Sequence, residues 1–129
     1  MATVITFGTF DLFHVGHLNI LQRAKRLGSR LIVGVSSDAL NFRKKNRYPL
    51  TNQEHRMNIV GALKCVDEVF LEESMDLKPH YIQSHGADIL VMGDDWAGKF
   101  DDMPCTVQYF PRTPSISTTE LIECIVNSR

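Results

Sequence analysis

Five short runs rich in β-branched and apolar residues punctuate the chain: "TVITF" at 3–7, "RLIVGVS" at 30–36, "DEVFL" at 67–71, "DILVMG" at 88–93 and "TVQYF" at 106–110. They are apolar enough to be strands covered on both faces, as in a parallel sheet. Between them the apolar positions take a helical period. Leu18, Leu21, Ala24 and Leu27 recur every three residues, Arg23, Lys25 and Arg26 gather late, and Gly28 supplies a stop, which predicts a helix over 17–27. Thr51 with Glu54, and Ser117 with Glu120, carry the S/T-x-x-E capping-box pattern. The first pair precedes Met57, Val60 and Leu63, and the second precedes Leu121, Cys124 and Ile125. A fourth helix is expected over 77–85, with Pro79 in its first turn and Gly86 behind it.

Strands alternating with helices predict an α/β fold: a Rossmann-like, doubly wound, five-stranded, mainly parallel sheet with helices on both faces, in a single domain spanning 1–129. Such sheets bind ligands beyond the C-terminal ends of their strands, near the point where strand order reverses. The segments just after the strands therefore matter most. "GTFDLFHVGH" comes after the first, "SDALNFRKKNR" after the second, "GDDWAGKFDD" after the fourth and "PRTPSISTTE" after the fifth. These are the most polar, Gly-rich or charged segments of the chain, and the sheet rule gathers them at one edge.

Composition narrows the function. The 129 residues carry 14 Lys and Arg against 15 Asp and Glu, a formal net charge of -1, so no global field attracts nucleic acid. No stretch approaches the roughly 20 apolar residues that span a bilayer, and the N-terminus lacks a basic region with a long apolar run, so a soluble, cytoplasmic protein without membrane insertion is expected. Cys65, Cys105 and Cys124 are far apart and form no CxxC, which suggests reduced, mostly buried thiols.

His14 and His17 stand where the first strand gives way to the first helix. Three readings are open. Zinc would need further ligands at suitable spacing, and the chain has none, so no metal ligand is assigned. Structural histidines are the second. The third is a phosphate cradle, in which Gly8 and Gly16 let the backbone approach, helix N–H groups face the anion and imidazolium donors add charge. Neither GxGxxG nor GxxxxGK[ST] is present. "FRKKNR" at 42–47, read as a loop, concentrates four cations at the same edge, and "RTPSISTTE" sets Arg112 and several hydroxyls before a helix N-terminus. "GDDWAGKFD" holds the one tryptophan, Trp96, either as a packed anchor or as part of a base pocket.

"GTFDLFHVGH" resembles the HxGH signature of the nucleotidyltransferase superfamily, and "RTPSISTTE" its second signature, RTxGxSTT. With "DALNFRKK", "YPLTNQEHR" and "GDDWAGKFD" in matching order, the chain is similar along its length to bacterial cytidylyltransferases acting on glycerol 3-phosphate. The resemblance implies a homodimer that converts CTP and sn-glycerol 3-phosphate into CDP-glycerol and pyrophosphate, with Mg²⁺ carried on the triphosphate, for teichoic acid or capsular polymer synthesis. It assigns Thr9, Phe10, His14, Gly16 and His17 to CTP, and Lys44 and Lys78 to glycerol phosphate. Arg112, Thr113, Ser117, Thr118 and Thr119 go to the nucleotide phosphates, Asp94 and Trp96 to cytosine, and Arg56 near the phosphates. His14, His17, Lys44 and Arg112 are the expected catalytic groups. Two positions depart from the pattern. Asn46 replaces a common lysine, leaving Lys45, Asn46 or Arg47 for that CTP contact, and Ser115, after Pro114, replaces a glycine. Another acceptor, ATP in place of CTP, or a binding module without turnover are the competing expectations.

Overall fold

The computed structural model describes residues 2–114 and 116–128. All five strands form, as β1 (Thr3–Gly8), β2 (Arg30–Ser36), β3 (Glu68–Glu72), β4 (Ile89–Gly93) and β5 (Thr106–Phe110). They make one sheet in the order β3-β2-β1-β4-β5, and every pairing is parallel. The sheet is thus wholly rather than mainly parallel. Its order reverses between β1 and β4, so the crevice falls beyond Gly8 and Gly93.

The pleat sends alternate residues to two cores. On one face Val4, Leu31, Val33, Val35 and Val91 pack with Leu21 and Ala24 of α1 (Val15–Lys25) and Val60 of α3 (Gln53–Gly61). On the other, Ile5, Phe7, Ile32, Leu90 and Met92 pack with Ile82 of α4 (Lys78–Ser84) and Phe100 of the loop after β4. Helices cover both faces, as a sheet apolar on both sides requires. Two further helices, α2 (Asp38–Lys45) and α5 (Thr118–Asn127), begin just after the ends of β2 and β5. No helix of the described residues is long and apolar enough to cross a membrane.

Four expectations are corrected. The first helix begins at Val15, two residues early, because His14 itself caps it. "FRKKNR" is not a loop: Ser37 caps α2 by accepting from Leu40 N, and Asn46 ends it in the left-handed region at φ 57°. Asn52, not Thr51, caps α3, accepting from His55 N. The cysteines are less buried than expected, since Cys65 and Cys105 are half-buried and Cys124 is exposed. Ser117 does cap α5, accepting from Glu120 N at 3.1 Å.

Candidate active site

A cleft of about 540 Å³ opens beyond the strand ends, within the range usual for small-molecule sites. All four segments singled out at the strand ends contribute to its lining, so the switch-point rule locates it. At its centre stand the two histidines. His14 Nδ1 accepts from Gly16 N at 3.0 Å, and His17 Nδ1 accepts from His14 N at 3.2 Å. With both Nδ1 atoms occupied by backbone donors, each neutral ring carries its proton on Nε2. The rings stack at 3.8 Å between centroids, and Phe10 and Phe13 flank His17 at 5.4 and 5.3 Å.

That packing sets the charge. Burial first, then the neighbouring His14, push His17 from its ordinary 6.5 to about 4, against a smaller upward pull from Asp11. Burial and the Arg112 guanidinium lower His14 as well. The sequence expectation of imidazolium donors is therefore corrected: near neutral pH both side chains are uncharged N–H donors. Gly16 is required by the same close approach, because a Cβ there would lie 2.8 Å from His14 Cε1. Gly8 likewise leaves room for the Phe10 ring, whose residue takes φ 58° to tuck beneath the loop.

Opposite α1, the N-terminus of α5 enters the cleft with Ser117, Thr118 and Thr119. Two helix starts thus converge, each bringing first-turn N–H groups and a partial positive charge. Arg112 and Thr113 from the end of β5 lie between them and also line the cleft. The hydroxyls serve the scaffold. Thr118 donates to Asp11 O at 2.9 Å, Thr113 accepts from Asn19 Nδ2 at 3.0 Å, and Ser117 is the cap. Ser115 lies outside the described residues, so the expectation for its altered loop does too.

Thr9, Phe10, His14, Gly16, His17, Arg47, Trp96, Arg112, Thr113, Ser117, Thr118 and Thr119 all line the cleft. Five expected residues do not. Asp94 stands aside while Asp95 joins Trp96 in the lining, and Asn46 is the helix cap between two lining cations, Lys45 and Arg47. Lys44 lies on α2 and is exposed outside the lining. Lys78 and Arg56 are each only 1% exposed. Arg56 is spent on the scaffold, donating to Thr9 O, Ser36 O and Thr51 O at 2.7–2.8 Å and to Asp38 Oδ1 at 2.6 Å. It ties the ends of β1 and β2 to α2 and to the loop before α3. Lys78 pairs with Glu72 behind the Phe7 ring.

Sequence reasoning missed Asp11 and Asn41. Asp11 accepts from Leu50 N at 2.9 Å and Thr51 N at 2.8 Å, which holds the 46–52 loop beside the cleft. Asn41 accepts the Thr9 hydroxyl proton at 2.8 Å. The signal for Asp11 was a carboxylate inside an anion-facing loop, which must be occupied by donors of its own to be tolerated there.

Fold and cleft together define an α/β nucleotidyltransferase, and the chain's relatives agree. Residues 5–124 match the family model described as Cytidylyltransferase-like, so the chain belongs to that family. Among its relatives is the glycerol-3-phosphate cytidylyltransferase of Bacillus subtilis strain 168, 46% identical over 125 residues, covering 95% of this chain and 96% of that protein. The enzyme of the same name from Bacillus spizizenii is 48% identical over 123 residues, covering 94% and 95%. Of solved structures, the lipopolysaccharide core biosynthesis protein of Thermoplasma volcanium superposes with a TM-score of 0.70 at 26% identity, covering 88% of this chain and 97% of that one.

Proposed function

We propose that this protein is a glycerol-3-phosphate cytidylyltransferase, transferring CMP from CTP to sn-glycerol 3-phosphate with release of pyrophosphate. The observation that carries the reading is the convergence of two helix N-termini, two Nε2–H imidazoles and Arg112 on one cleft of a chain close in sequence and length to enzymes of that name. An acceptor phosphate oxygen attacks the α-phosphorus of CTP. The new P–O bond forms as the bond to the bridging oxygen breaks, and pyrophosphate departs with the electron pair. Such transfers ask for positioning and charge neutralisation rather than covalent help. The acceptor is already an oxyanion near neutral pH, so no base is needed.

The histidine rings donate from Nε2 to the phosphates, and Arg112 with the α5 N-terminus holds the leaving group. On the acceptor side Lys44 meets the glycerol phosphate, while Lys78 adds its charge from behind Phe7. Cytosine lies against Trp96 and Asp95. Mg²⁺ suits this donor set only as a passenger of the triphosphate, because the cleft around the histidines offers N–H groups and cations to anionic oxygens. Bound there, it would neutralise phosphate charge.

A pyrophosphate-release assay crossing CTP and ATP with glycerol 3-phosphate, ribitol 5-phosphate and phosphocholine tests the assignment. Turnover is expected with CTP and glycerol 3-phosphate, and preference for ATP or another acceptor would overturn it. The product CDP-glycerol would serve teichoic acid or capsular polymer synthesis in the cytoplasm. A homodimer is favoured by α5, which leaves Ile125 60% and Val126 54% exposed on a helix that starts in the active site. Light scattering should give twice the 14.6 kDa chain mass, and a monomer at assay concentrations would contradict the dimer.

A further inference from the structure

The segment 94–105 after β4 brings Trp96 to the cleft with little regular structure of its own: one short 3₁₀ turn, Asp94–Trp96, and Gly98 at φ 83°. Its internal backbone bonds are short-range. They run from Ala97 N to Asp94 O at 3.0 Å, from Lys99 N to Trp96 O at 2.9 Å and from Met103 N to Phe100 O at 3.2 Å. Bonds of this kind shape turns, but they do not fix where a loop sits on its sheet.

Tyr109, on β5, makes that tie. Its hydroxyl accepts from Phe100 N at 2.9 Å and donates to Asp101 Oδ1 at 2.8 Å. Phe100, 7% exposed, is part of the core on that face, and both Trp96 and Tyr109 pack against this core. The Phe100 ring stands 5.5 Å from the Trp96 ring, and the Lys99 ammonium lies over the indole at 5.5 Å. Direct contacts thus run from the Tyr109 hydroxyl through Phe100 to the ring that lines the cleft.

Strand β5 ends at Phe110, and Pro111, Arg112 and Thr113 continue from it into the cleft lining. Tyr109 therefore belongs to the strand that delivers Arg112, while its hydroxyl holds the loop that delivers Trp96. A phenylalanine would fill the apolar space as well, and bonds in so exposed a place add little to stability. We propose that Tyr109 is a positioning residue for the nucleotide: its hydroxyl keeps the base-side wall at Trp96 in register with the phosphate side at Arg112. This rests on the reading that the base lies against Trp96.

The test is the kinetics of Tyr109→Phe, with Trp96, the chain's one tryptophan, as a fluorescent reporter. The KM for CTP at saturating acceptor is expected to rise about three- to tenfold, the scale of one lost hydrogen bond. Both kcat and the acceptor KM should stay at their wild-type values. Titration with CMP should change Trp96 emission in the wild type, and the midpoint should move up by the same factor in Tyr109→Phe. Inhibition by pyrophosphate, which lacks the base, should keep its strength.

A merely structural tyrosine would lower the melting temperature and leave the CTP KM alone, and that result in folded Tyr109→Phe would overturn the proposal. Equal weakening of pyrophosphate would overturn it too, because the effect would then lie on the phosphates. Should Tyr109→Phe fail to fold, Asp101→Ala takes its place, since Asp101 is exposed and its loss removes one of the two bonds. A smaller rise in the CTP KM is then expected, with recovery in Asp101→Asn, which still offers an acceptor; no rise would again overturn the role. Trp96→Ala separates this inference from the reading beneath it. If it leaves the CTP KM unchanged, the base does not lie against Trp96 and both fail. If it raises that KM while Tyr109→Phe does not, only the role of Tyr109 is lost.

Discussion

Replacing His17 with alanine is expected to slow turnover about 10²- to 10³-fold, the usual cost of removing one preorganised donor from developing oxyanion charge, or roughly 3 to 4 kcal/mol. The loss should appear in kcat more than in the KM for CTP. The Nε2–H of His17 is aimed by the bond from His14 N and by the rings of His14, Phe10 and Phe13, and that alignment matters most where charge builds up on the phosphates. Near-normal kcat in His17→Ala would remove the assignment.

The same packing has a pH signature. The folded ring protonates only near pH 4, whereas the unfolded side chain protonates near 6.5. As pH falls through 6.5 the unfolded chain takes up a proton that the folded one refuses, so stability declines from there to about pH 4 and then levels off. The upper limit of that loss is roughly 3 kcal/mol from this one ring. In His17→Ala the decline over that window should be visibly shallower in a series of thermal melts.

Arg56→Ala is the second large effect, and it falls on the fold rather than on the chemistry. Four bonds from one guanidinium hold β1, β2, α2 and the loop before α3, and truncation leaves three carbonyls and the Asp38 carboxylate without that donor. Breaking a buried pair on one side typically costs about 3 to 5 kcal/mol, against total stabilities of about 5 to 15 kcal/mol. A melting temperature lower by about 10 °C or more is expected, together with reduced yield. Arg56→Lys should recover little, because one ammonium cannot reproduce a planar fork of donors spread over four acceptors. If Arg56→Ala melted like the wild type but bound CTP poorly, Arg56 would be a phosphate ligand after all.

Arg56 also shows where the sequence ceased to be legible. A cation near a phosphate-binding edge reads the same whether it faces the ligand or the backbone carbonyls that frame it. Only the placement of Thr9 O, Ser36 O and Thr51 O around its guanidinium decides. Lys78 is a similar case, since its partner Glu72 lies in a different element and no local pattern announces the pair. The strands, by contrast, were plain, because burial on both faces demands unbroken apolar runs. Helix α2 was hidden by its own composition. Leu40 and Asn41 are its only buried residues, so the apolar period that marks a helix is nearly absent and the cations of "FRKKNR" dominate. The Ser37-Asp38 start was the available cue.

The histidine pair was legible in place but not in charge. Its position between a strand and a helix, with glycine between the two rings, pointed to an anion cradle. Its protonation depended on the two phenylalanines and on the stacked rings, which only the folded loop brings together. Neutral donors suit this reaction well. They stabilise charge on phosphate oxygens without offering a proton that would have to be restored in each cycle.

The most direct test of the account is a ³¹P NMR spectrum of one reaction mixture containing the enzyme, Mg²⁺, CTP and sn-glycerol 3-phosphate. Attack at the α-phosphorus predicts that the CTP and acceptor signals are replaced by the paired diphosphate resonances of CDP-glycerol and by pyrophosphate in equal amounts. Formation of CDP with a phosphorylated acceptor or with inorganic phosphate would place the reaction at the γ-phosphorus and contradict it.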